Sequence, residues 1–213
     1  GNNFYDNTYK GITLNGNSFS AIEDNNFTLS NADGNYGVYT LLSTGLKVTG
    51  NTFNAPEAAT ETNFKYGLVM HNSGTMGAAV LENVFGVPDN TNPNSNKPLR
   101  AGVQIEGGSN QLLTIDCNVF NAQSKYDLRI FDFLQDQGAC DFVSELLNPN
   151  ANDWHTPPQN GSTYHIYYSN AQIPFNITYA NGYEPTLLSG NINTYDCADD
   201  ETDCTFITQG GGT

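Results

Sequence analysis

The sequence contains few charged residues, and very few of those are positive. Only 14% of the 213 residues are charged, and 7 Lys and Arg against 22 Asp and Glu give a net charge of −15. So acidic a surface repels nucleic acids and anionic membranes, and it favours cations or neutral glycans as partners. No apolar run reaches the roughly 18 residues of a membrane-spanning helix. We therefore expect neither nucleic-acid binding nor membrane insertion.

The sequence also lacks the long apolar stripes of period 3.6 that amphipathic helices and helical repeats require. It is rich instead in residues that form corners and turns, with 30 Asn and 21 Gly. Asn and Gly tolerate the backbone conformations of tight turns. This composition excludes a helical protein and indicates short strands joined by corners.

One eight-residue phrase, apolar-x-apolar-x-x-Asn-x-Phe, occurs four times at intervals of 34, 32 and 35 residues. A nearly fixed period of this size indicates stacked repeat units. The first half of the phrase alternates with period two, as a half-buried strand does. A second strand opened by glycine recurs upstream of three copies, at residues 37–41, 67–70 and 102–105. Each unit thus contains two or three short strands.

The Asn-x-Phe ending of the phrase predicts a structural role. An asparagine after a strand tolerates left-handed backbone and can bond nearby main-chain groups. Stacked over successive layers, such asparagines would form a ladder, and the phenylalanines would form a column of rings inside. The predicted ladder and column consist of Asn17, Asn51, Asn83, Asn118, Phe19, Phe53, Phe85 and Phe120.

The Asn-x-Phe repeats resemble the right-handed parallel β-helix family of pectate-lyase-like proteins. The acidic, asparagine-rich composition also resembles secreted surface proteins of the Bacteroidota. The resemblance covers about residues 1–145, and it implies an all-β, right-handed parallel β-helix (β-solenoid) of about five or six coils. Residues 146–213 predict a loop followed by irregular final coils or a small β extension. Because neither end reads as a capping repeat, we expect a segment of a longer polypeptide.

Four cysteines allow three disulfide pairings. Cys197 and Cys204 would close a small acidic loop, and Cys117 and Cys140 are near one coil's length apart. Zinc binding is the alternative, but no Cys-x-x-Cys motif or neighbouring histidine pair supports it. We expect the disulfides Cys117–Cys140 and Cys197–Cys204, and with them an extracellular or cell-surface location.

Stacking predicts one group of polar residues that would suit catalysis. It would place His71 beside Glu106, and Arg129 beside Gln104. A polysaccharide lyase needs calcium-binding carboxylates and a basic side chain, so His71, Glu106 and Arg129 are its candidate residues.

A glycoside hydrolase needs two or three carboxylates roughly 5–10 Å apart in one groove. The acidic residues that lie close in sequence are Asp127, Asp132, Asp136 and Asp141. Solvated polar residues on an exposed sheet are the alternative for both sets.

Two further features suggest binding. Aromatic faces stack on sugar rings, so Tyr39, which would face outward, and Trp154 and Tyr167, in or near a loop-rich region, are candidates for glycan contact. Core packing or contact with a next domain is the alternative for these aromatic residues. Residues 196–203 hold five carboxylates in eight positions. This loop could bind calcium through Asp199, Asp200 and Asp203, although it lacks EF-hand spacing and a solvated turn is the alternative.

These observations favour a non-enzymatic role. We expect a structural or adhesin segment of a large secreted or cell-surface protein, with further domains of the same polypeptide, glycans or other surface proteins as partners. The alternative is a fragment of a carbohydrate-active enzyme, a lyase or a hydrolase, with its site in a groove of the β-helix. Calcium is the one cofactor that the residues suggest.

Overall fold

The computed structural model describes residues 1–7, 10–29, 35–55, 64–86, 99–121, 125–141, 146–148, 151–154, 164–170, 172–180 and 182–197. Every regular element in these ranges is a β-strand. None of the described residues forms a helix with the length and apolarity needed to cross a membrane. In chain order the strands are β1 (Asn3–Asn7), β2 (Lys10–Asn15), β3 (Ala21–Glu23), β4 (Asn26–Leu29), β5 (Asn35–Leu41), β6 (Lys47–Thr49), β7 (Thr52–Asn54), β8 (Lys65–His71), β9 (Ala79–Leu81), β10 (Val84–Phe85), β11 (Ala101–Glu106), β12 (Thr114–Asp116), β13 (Val119–Phe120), β14 (Tyr126–Ile130), β15 (Ala139–Asp141), β16 (Leu146–Asn148), β17 (Tyr164–Tyr168), β18 (Phe175–Ala180), β19 (Leu188–Ser189) and β20 (Ile192–Cys197).

Three parallel sheets contain most of these strands. Sheet A has the order β1-β4-β7-β10-β13, sheet B the order β19-β17-β14-β11-β8-β5-β2, and sheet C the order β12-β9-β6-β3. From β2 to β13 the chain visits sheets B, C and A in the same order four times, so each strand pairs with the strand three places later. The fold is therefore all-β with stacked parallel strands, as the repeat predicts.

The corner from sheet B to sheet C is built in the same way in successive layers. Its first residue has a positive φ in each of four layers: Gly16 (66°), Leu42 (51°), Asn72 (48°) and Gly107 (77°). Only glycine adopts this conformation freely, and asparagine tolerates it better than leucine does. The glycine and asparagine content of the sequence thus serves these corners directly.

Inward side chains of the three sheets form one continuous apolar core. One position of sheet B contributes an aliphatic side chain in successive layers, and Val38, Leu68 and Val103 at this position are all fully buried. Sheet C contributes Val48 and Val80 in the same way. Val48 and Val80 are apolar positions of the repeated phrase, whereas the sheet B residues belong to the strand opened by glycine. The burial of both sets supplies the hydrophobic stabilisation that holds neighbouring layers together.

An asparagine ladder runs through the stack where sheet C turns into sheet A. The backbone N–H and the side-chain amide of Asn51 both donate to Asn83 Oδ1 at 3.0 Å. Asn83 makes the same pair of bonds to Asn118, and Asn118 to Asn152. Asn51, Asn83 and Asn118 are therefore ladder residues, as predicted. Every rung satisfies a corner amide that burial would otherwise leave without a partner.

A column of aromatic rings runs beside this ladder. The rings of Phe27, Phe53, Phe85 and Phe120 lie parallel, with centroids 4.9, 5.0 and 5.2 Å apart in successive pairs. These distances follow the spacing of hydrogen-bonded strands, which is about 4.8 Å. Phe53, Phe85 and Phe120 thus occupy their predicted places. The column continues to Phe4 at one end and Trp154 at the other.

The prediction that the first copy of the phrase contributes to the ladder and the column was wrong. Asn17 and Phe19 lie on the corner that follows β2 in sheet B, and Phe19 is 70% exposed with a φ of 51°. Asn25 and Phe27 take the predicted places instead. The first layers have shorter loops, so Asn25 and Asn51 are 26 residues apart whereas Asn83 and Asn118 are 35 apart. A constant period therefore placed the first copy one corner too early.

The last described layers are less regular. β17 and β19 extend sheet B, β15 and β16 form an antiparallel pair, and β18 pairs with β20. At the edge of sheet C, the side chain of Gln137 makes the hydrogen bonds that the backbone of a further strand would make. Gln137 Oε1 accepts from Ile115 N, and its Nε2 donates to Leu113 O. The predicted domain boundary near residue 145 stays a prediction.

Neither Cys117 nor Cys197 is a free thiol. The partners predicted for them lie outside the description, because Cys204 is not among the described residues and nothing is known of the Cys140 side chain. The pairs Cys117–Cys140 and Cys197–Cys204 therefore stay predictions.

Candidate functional site

Outward side chains of sheet B lie in register across neighbouring strands. Glu106 of β11 pairs with His71 of β8, and Gln104 of β11 pairs with Arg129 of β14. Both neighbour relations agree with the sequence prediction. Because the strands are parallel and in register, residues at equivalent positions form columns across the sheet.

The four polar side chains form one continuous chain of hydrogen bonds. His71 Nδ1 lies 3.2 Å from Glu106 Oε2. The other carboxylate oxygen, Oε1, accepts from Gln104 Nε2 at 2.5 Å, and Gln104 Oε1 accepts from Arg129 Nη1 at 3.2 Å. The side chains of His71 and Glu106 are 36% and 30% exposed. The polar chain is thus accessible at its His71–Glu106 end.

Aromatic rings hold Arg129 at the other end of this chain. Its guanidinium carbon lies 4.1 Å from the ring centroid of Phe131, 4.8 Å from that of Tyr126 and 5.9 Å from that of Tyr167. Its Nε is buried and has no hydrogen-bond partner. Cation–π contacts of this kind fix the guanidinium in place. Arg129 is therefore constrained by packing, whereas a proton-abstracting base has to face the substrate.

Tyrosines fill the neighbouring column of the same face. Tyr36 stacks on Tyr66 at 5.4 Å and Tyr126 on Tyr164 at 6.2 Å, and Ala101 lies between the two pairs. Burial raises the pKa of Tyr66, the nearby Arg100 and Arg129 lower it, and Glu106 and Tyr126 add smaller increases. The tyrosine stays neutral near pH 7 and acts here as a packing residue.

The three acidic residues proposed for hydrolysis whose side chains are described do not share a groove. Asp127 is fully buried, at the place that Gly102 holds one layer earlier. Asp132 and Asp136 are exposed, and Asp136 accepts both the backbone N–H and the side-chain amide of Asn176. The side chain of Asp141 lies outside the description. Among the described residues of the polar chain, Glu106 is the single carboxylate, so the two-carboxylate geometry of a hydrolase is not met there.

The three aromatic candidates for glycan contact lie in different settings. Tyr39 is half-buried, meets Tyr36 edge-on at 5.5 Å and carries the Lys10 ammonium 4.0 Å above its ring. Tyr167 packs against Tyr126. Trp154 belongs to the ring column, stacked between Phe120 and His165, and its indole N–H donates to Tyr183 O at 2.9 Å. With both ring faces in contact, Trp154 offers no stacking face to a sugar.

The predicted calcium loop cannot be compared with the structure, because Asp199, Asp200 and Asp203 lie outside the described residues. Within the described ranges, no group of three or more His, Cys, Asp or Glu side chains is placed to hold a metal ion. Calcium binding by the loop stays a prediction.

One groove, on the outer side of sheet A, was not predicted from the sequence. This groove, called the Asp24 groove below, is an open cavity of about 390 Å³. Its lining consists of Asp24, Asn25, Asn26, Thr28, Gly50, Thr52 and Asn54. The sequence signal for this groove was the match between residues 26–28, Asn-Phe-Thr, and residues 52–54, Thr-Phe-Asn. This match is recognised only when the two segments are aligned as paired strands.

No protein-family model, curated protein or solved structure matches this chain. The assignment of a function therefore depends on the geometry alone.

Proposed function

We propose that the chain is a closed, right-handed parallel β-helix of about five or six coils, and that it serves as a rigid stalk or adhesin segment of a large secreted or cell-surface protein. Connections between parallel strands of one sheet are right-handed in about 98% of cases. The fourfold passage through sheets B, C and A consists of such connections. This regularity supports both the closed coil and its hand.

The asparagine ladder is the observation that carries the structural role. Asn51, Asn83 and Asn118 are each fully buried, and each bonds to the asparagine of the next layer. A layer held by ladder bonds, strand pairing and ring stacking cannot shift without breaking all three. Such a stack is stiff along its axis, which suits a spacer that presents other domains or contacts at a distance.

Surface labelling tests this function. An antiserum raised against the purified chain should label intact, unpermeabilised cells of the native organism, and external protease should remove the signal. On an immunoblot the same antiserum should detect a polypeptide well above the 23.1 kDa of this chain, because a stalk segment carries further domains. Labelling that requires permeabilisation would refute the surface location.

A carbohydrate-active enzyme is the second candidate, and one observation favours it. His71 and Glu106 are in direct contact at an accessible edge of sheet B, and Arg129 is joined to them through Gln104. In a lyase His71 would act as the base beside a sugar carboxylate. The fixed position of Arg129 and the single carboxylate of the polar chain favour the structural role over this one.

A polysaccharide screen separates the two candidates. The chain is incubated with acidic and neutral polysaccharides, and new reducing ends and unsaturated products are measured. The structural role predicts no turnover with any substrate. Turnover that is lost in Glu106→Gln and retained in Glu82→Gln, an acidic residue on the corner after β9, would establish the enzyme instead.

A further inference from the structure

The Asp24 groove presents polar side chains that the protein itself does not use. In the described part of the chain, Asp24, Asn26, Thr28 and Thr52 make no side-chain hydrogen bond to protein. Asn54 uses its Oδ1 to accept from Ala55 N, which leaves its amide hydrogens for another partner. The side chains of the ladder asparagines, in contrast, bond to one another across successive layers.

The strand register arranges these groups as a grid. Asn26 pairs with Thr52, and Thr28 with Asn54, across β4 and β7. Neighbouring strands are about 4.8 Å apart, and outward residues on one strand are about 6.6 Å apart. These spacings are comparable with the separation of non-adjacent hydroxyl groups on a pyranose ring. The cavity volume of about 390 Å³ lies in the range of small-ligand sites.

An exposed aromatic ring borders the grid. Tyr5 of β1 pairs with Thr28 of β4, and its side chain is 61% exposed. Phe4 points inward to the ring column, so Tyr5, the next residue, points outward on the same side as Thr28. An exposed tyrosine can stack on the C–H face of a sugar.

The charge of the groove selects among ligands. Asp24 is its one charged lining residue, and no Lys or Arg belongs to the lining. A carboxylate accepts hydrogen bonds from two adjacent hydroxyls, and it repels anionic ligands. The net charge of −15 acts in the same direction. The groove therefore suits a neutral, hydroxyl-rich ligand better than a uronate or a phosphate.

We propose that the Asp24 groove binds a neutral pyranose of a glycan. Asp24 accepts from two vicinal hydroxyls, Asn26 and Thr52 bond to the remaining ones, and Tyr5 stacks on the ring. The proposal rests on the proposed adhesin function, since it names the ligand class of that adhesin.

The test is a titration of the isotope-labelled chain with methyl glucoside, methyl galactoside and methyl mannoside, followed by amide chemical shifts. Methyl galacturonide and glucosamine serve as charged counterparts. We expect at least one neutral glycoside to shift the amides of β4 and β7, with a Kd on the order of 1 mM for a single-sugar site. No shift with any neutral sugar, or shifts with a charged sugar only, would overturn the proposal.

Two variants assign the site. Thr52→Val removes one hydroxyl from the groove and keeps the β-branched shape, so the neutral glycoside should bind about 3- to 10-fold more weakly. Tyr5→Ala removes the stacking ring and should weaken binding about 10-fold. Thr114→Val, on the exposed outer face of sheet C, is the matched control and should bind as the wild type does. Equal binding by the wild type and Thr52→Val would refute this location.

The outcomes also separate this proposal from the proposed function. A chain that labels the cell surface and binds no neutral glycoside would refute the groove while the stalk role stands. A chain that binds the glycoside but is found only inside cells would refute the surface role and leave the groove established.

Discussion

At the scale of single residues, the ladder asparagines make the sharpest prediction. The Asn83 side chain accepts from Asn51 and donates to Asn118, Val48 O and Leu81 O. The bonds to Asn51, Asn118 and Val48 are buried, and the bond to Leu81 is partly buried. Asn83→Ala leaves at least two of the bonded groups without a partner, at about 1–3 kcal/mol each. We expect the free energy of unfolding to fall by about 3 kcal/mol or more, as measured by denaturant titration.

Asn17→Ala is the matched control for this variant. Asn17 holds the asparagine position of the same eight-residue phrase in the sequence, but it is exposed and lies outside the ladder. Its replacement should change the free energy of unfolding by less than about 0.5 kcal/mol. Equal losses in the two variants would contradict the assignment of the ladder.

Asp116 gives a prediction about pH. Burial raises its pKa, although the N–H groups of Ala151 and Cys117, which donate to its Oδ1 at 2.7 and 2.8 Å, act in the opposite direction. A carboxyl whose pKa is higher in the folded state binds more protons when folded. Stability is then lost as the pH rises from the ordinary pKa of aspartate through the raised one, and the loss persists at neutral pH.

Asp116→Asn keeps an oxygen that can accept both N–H groups, and it removes the charge. We expect its melting temperature to exceed that of the wild type by about 2–4 °C at pH 7. The difference should shrink as the pH falls towards 4, which thermal unfolding between pH 3 and pH 8 would reveal. A variant that is less stable than the wild type at every pH would indicate that the ionised carboxylate is needed.

At the scale of strands, the glycines that open the predicted second strand have a specific cause. A Cβ added to Gly67 would lie 2.6 Å from the ring of Phe85 and 2.7 Å from Gly102 O. Gly37 faces Phe53 and Gly102 faces Phe120 in the same way. Each glycine lets sheet B approach the ring column, so the spacing from glycine to phenylalanine in the sequence reports a real contact.

Gly67→Ala should therefore destabilise the protein by at least about 2 kcal/mol, because neither the ring nor the carbonyl can move without disturbing the next layer. Gly108→Ala is the control, since a Cβ at Gly108 meets nothing within 4 Å. Denaturant titration of both variants measures the effect. A Gly67 variant as stable as the Gly108 variant would mean that the column adjusts easily.

These contacts also explain what the sequence could and could not predict. The ladder and column from residue 51 to residue 120 were predictable, because three layers share the phrase and similar loop lengths. The first layers were not predictable, because their shorter loops reduce the number of residues between equivalent positions. In addition, the residues that end at Phe19 match the phrase although they lie on a different corner. Asp127 was taken for a surface residue, although it replaces a buried glycine. The role of Gln137, whose side chain makes the hydrogen bonds of a further strand, could not be predicted because no periodic pattern marks this residue.

The candidate sites follow the same division. The His71–Glu106 and Gln104–Arg129 neighbours followed from strand register alone, which the repeat determines. The Asp24 groove depends on the corrected alignment of β4 with β7 and on the lack of side-chain partners for its polar residues. Neither of these can be read from a single unit of the repeat.

At the scale of the whole molecule, each layer contacts only the layers before and after it. Strands β8, β9 and β10 pair on both edges, whereas β1, β2 and β3 pair on one edge within the described residues. The stability of such a stack is approximately a sum of layer and interface contributions. The end layer should therefore open locally without unfolding of the middle layers.

Hydrogen exchange measures this difference. We expect hydrogen-bonded amides of β8 and β9 to exchange at least about 100-fold more slowly than those of β2 and β3, after correction for intrinsic rates. Asn83→Ala should speed exchange in β9 and β10, the strands on either side of its corner, more than in β2, because the lost bonds belong to the middle interfaces. Equal protection in all layers would mean that the stack unfolds as one unit. A stalk built as a single cooperative body would then replace one built of separable layers.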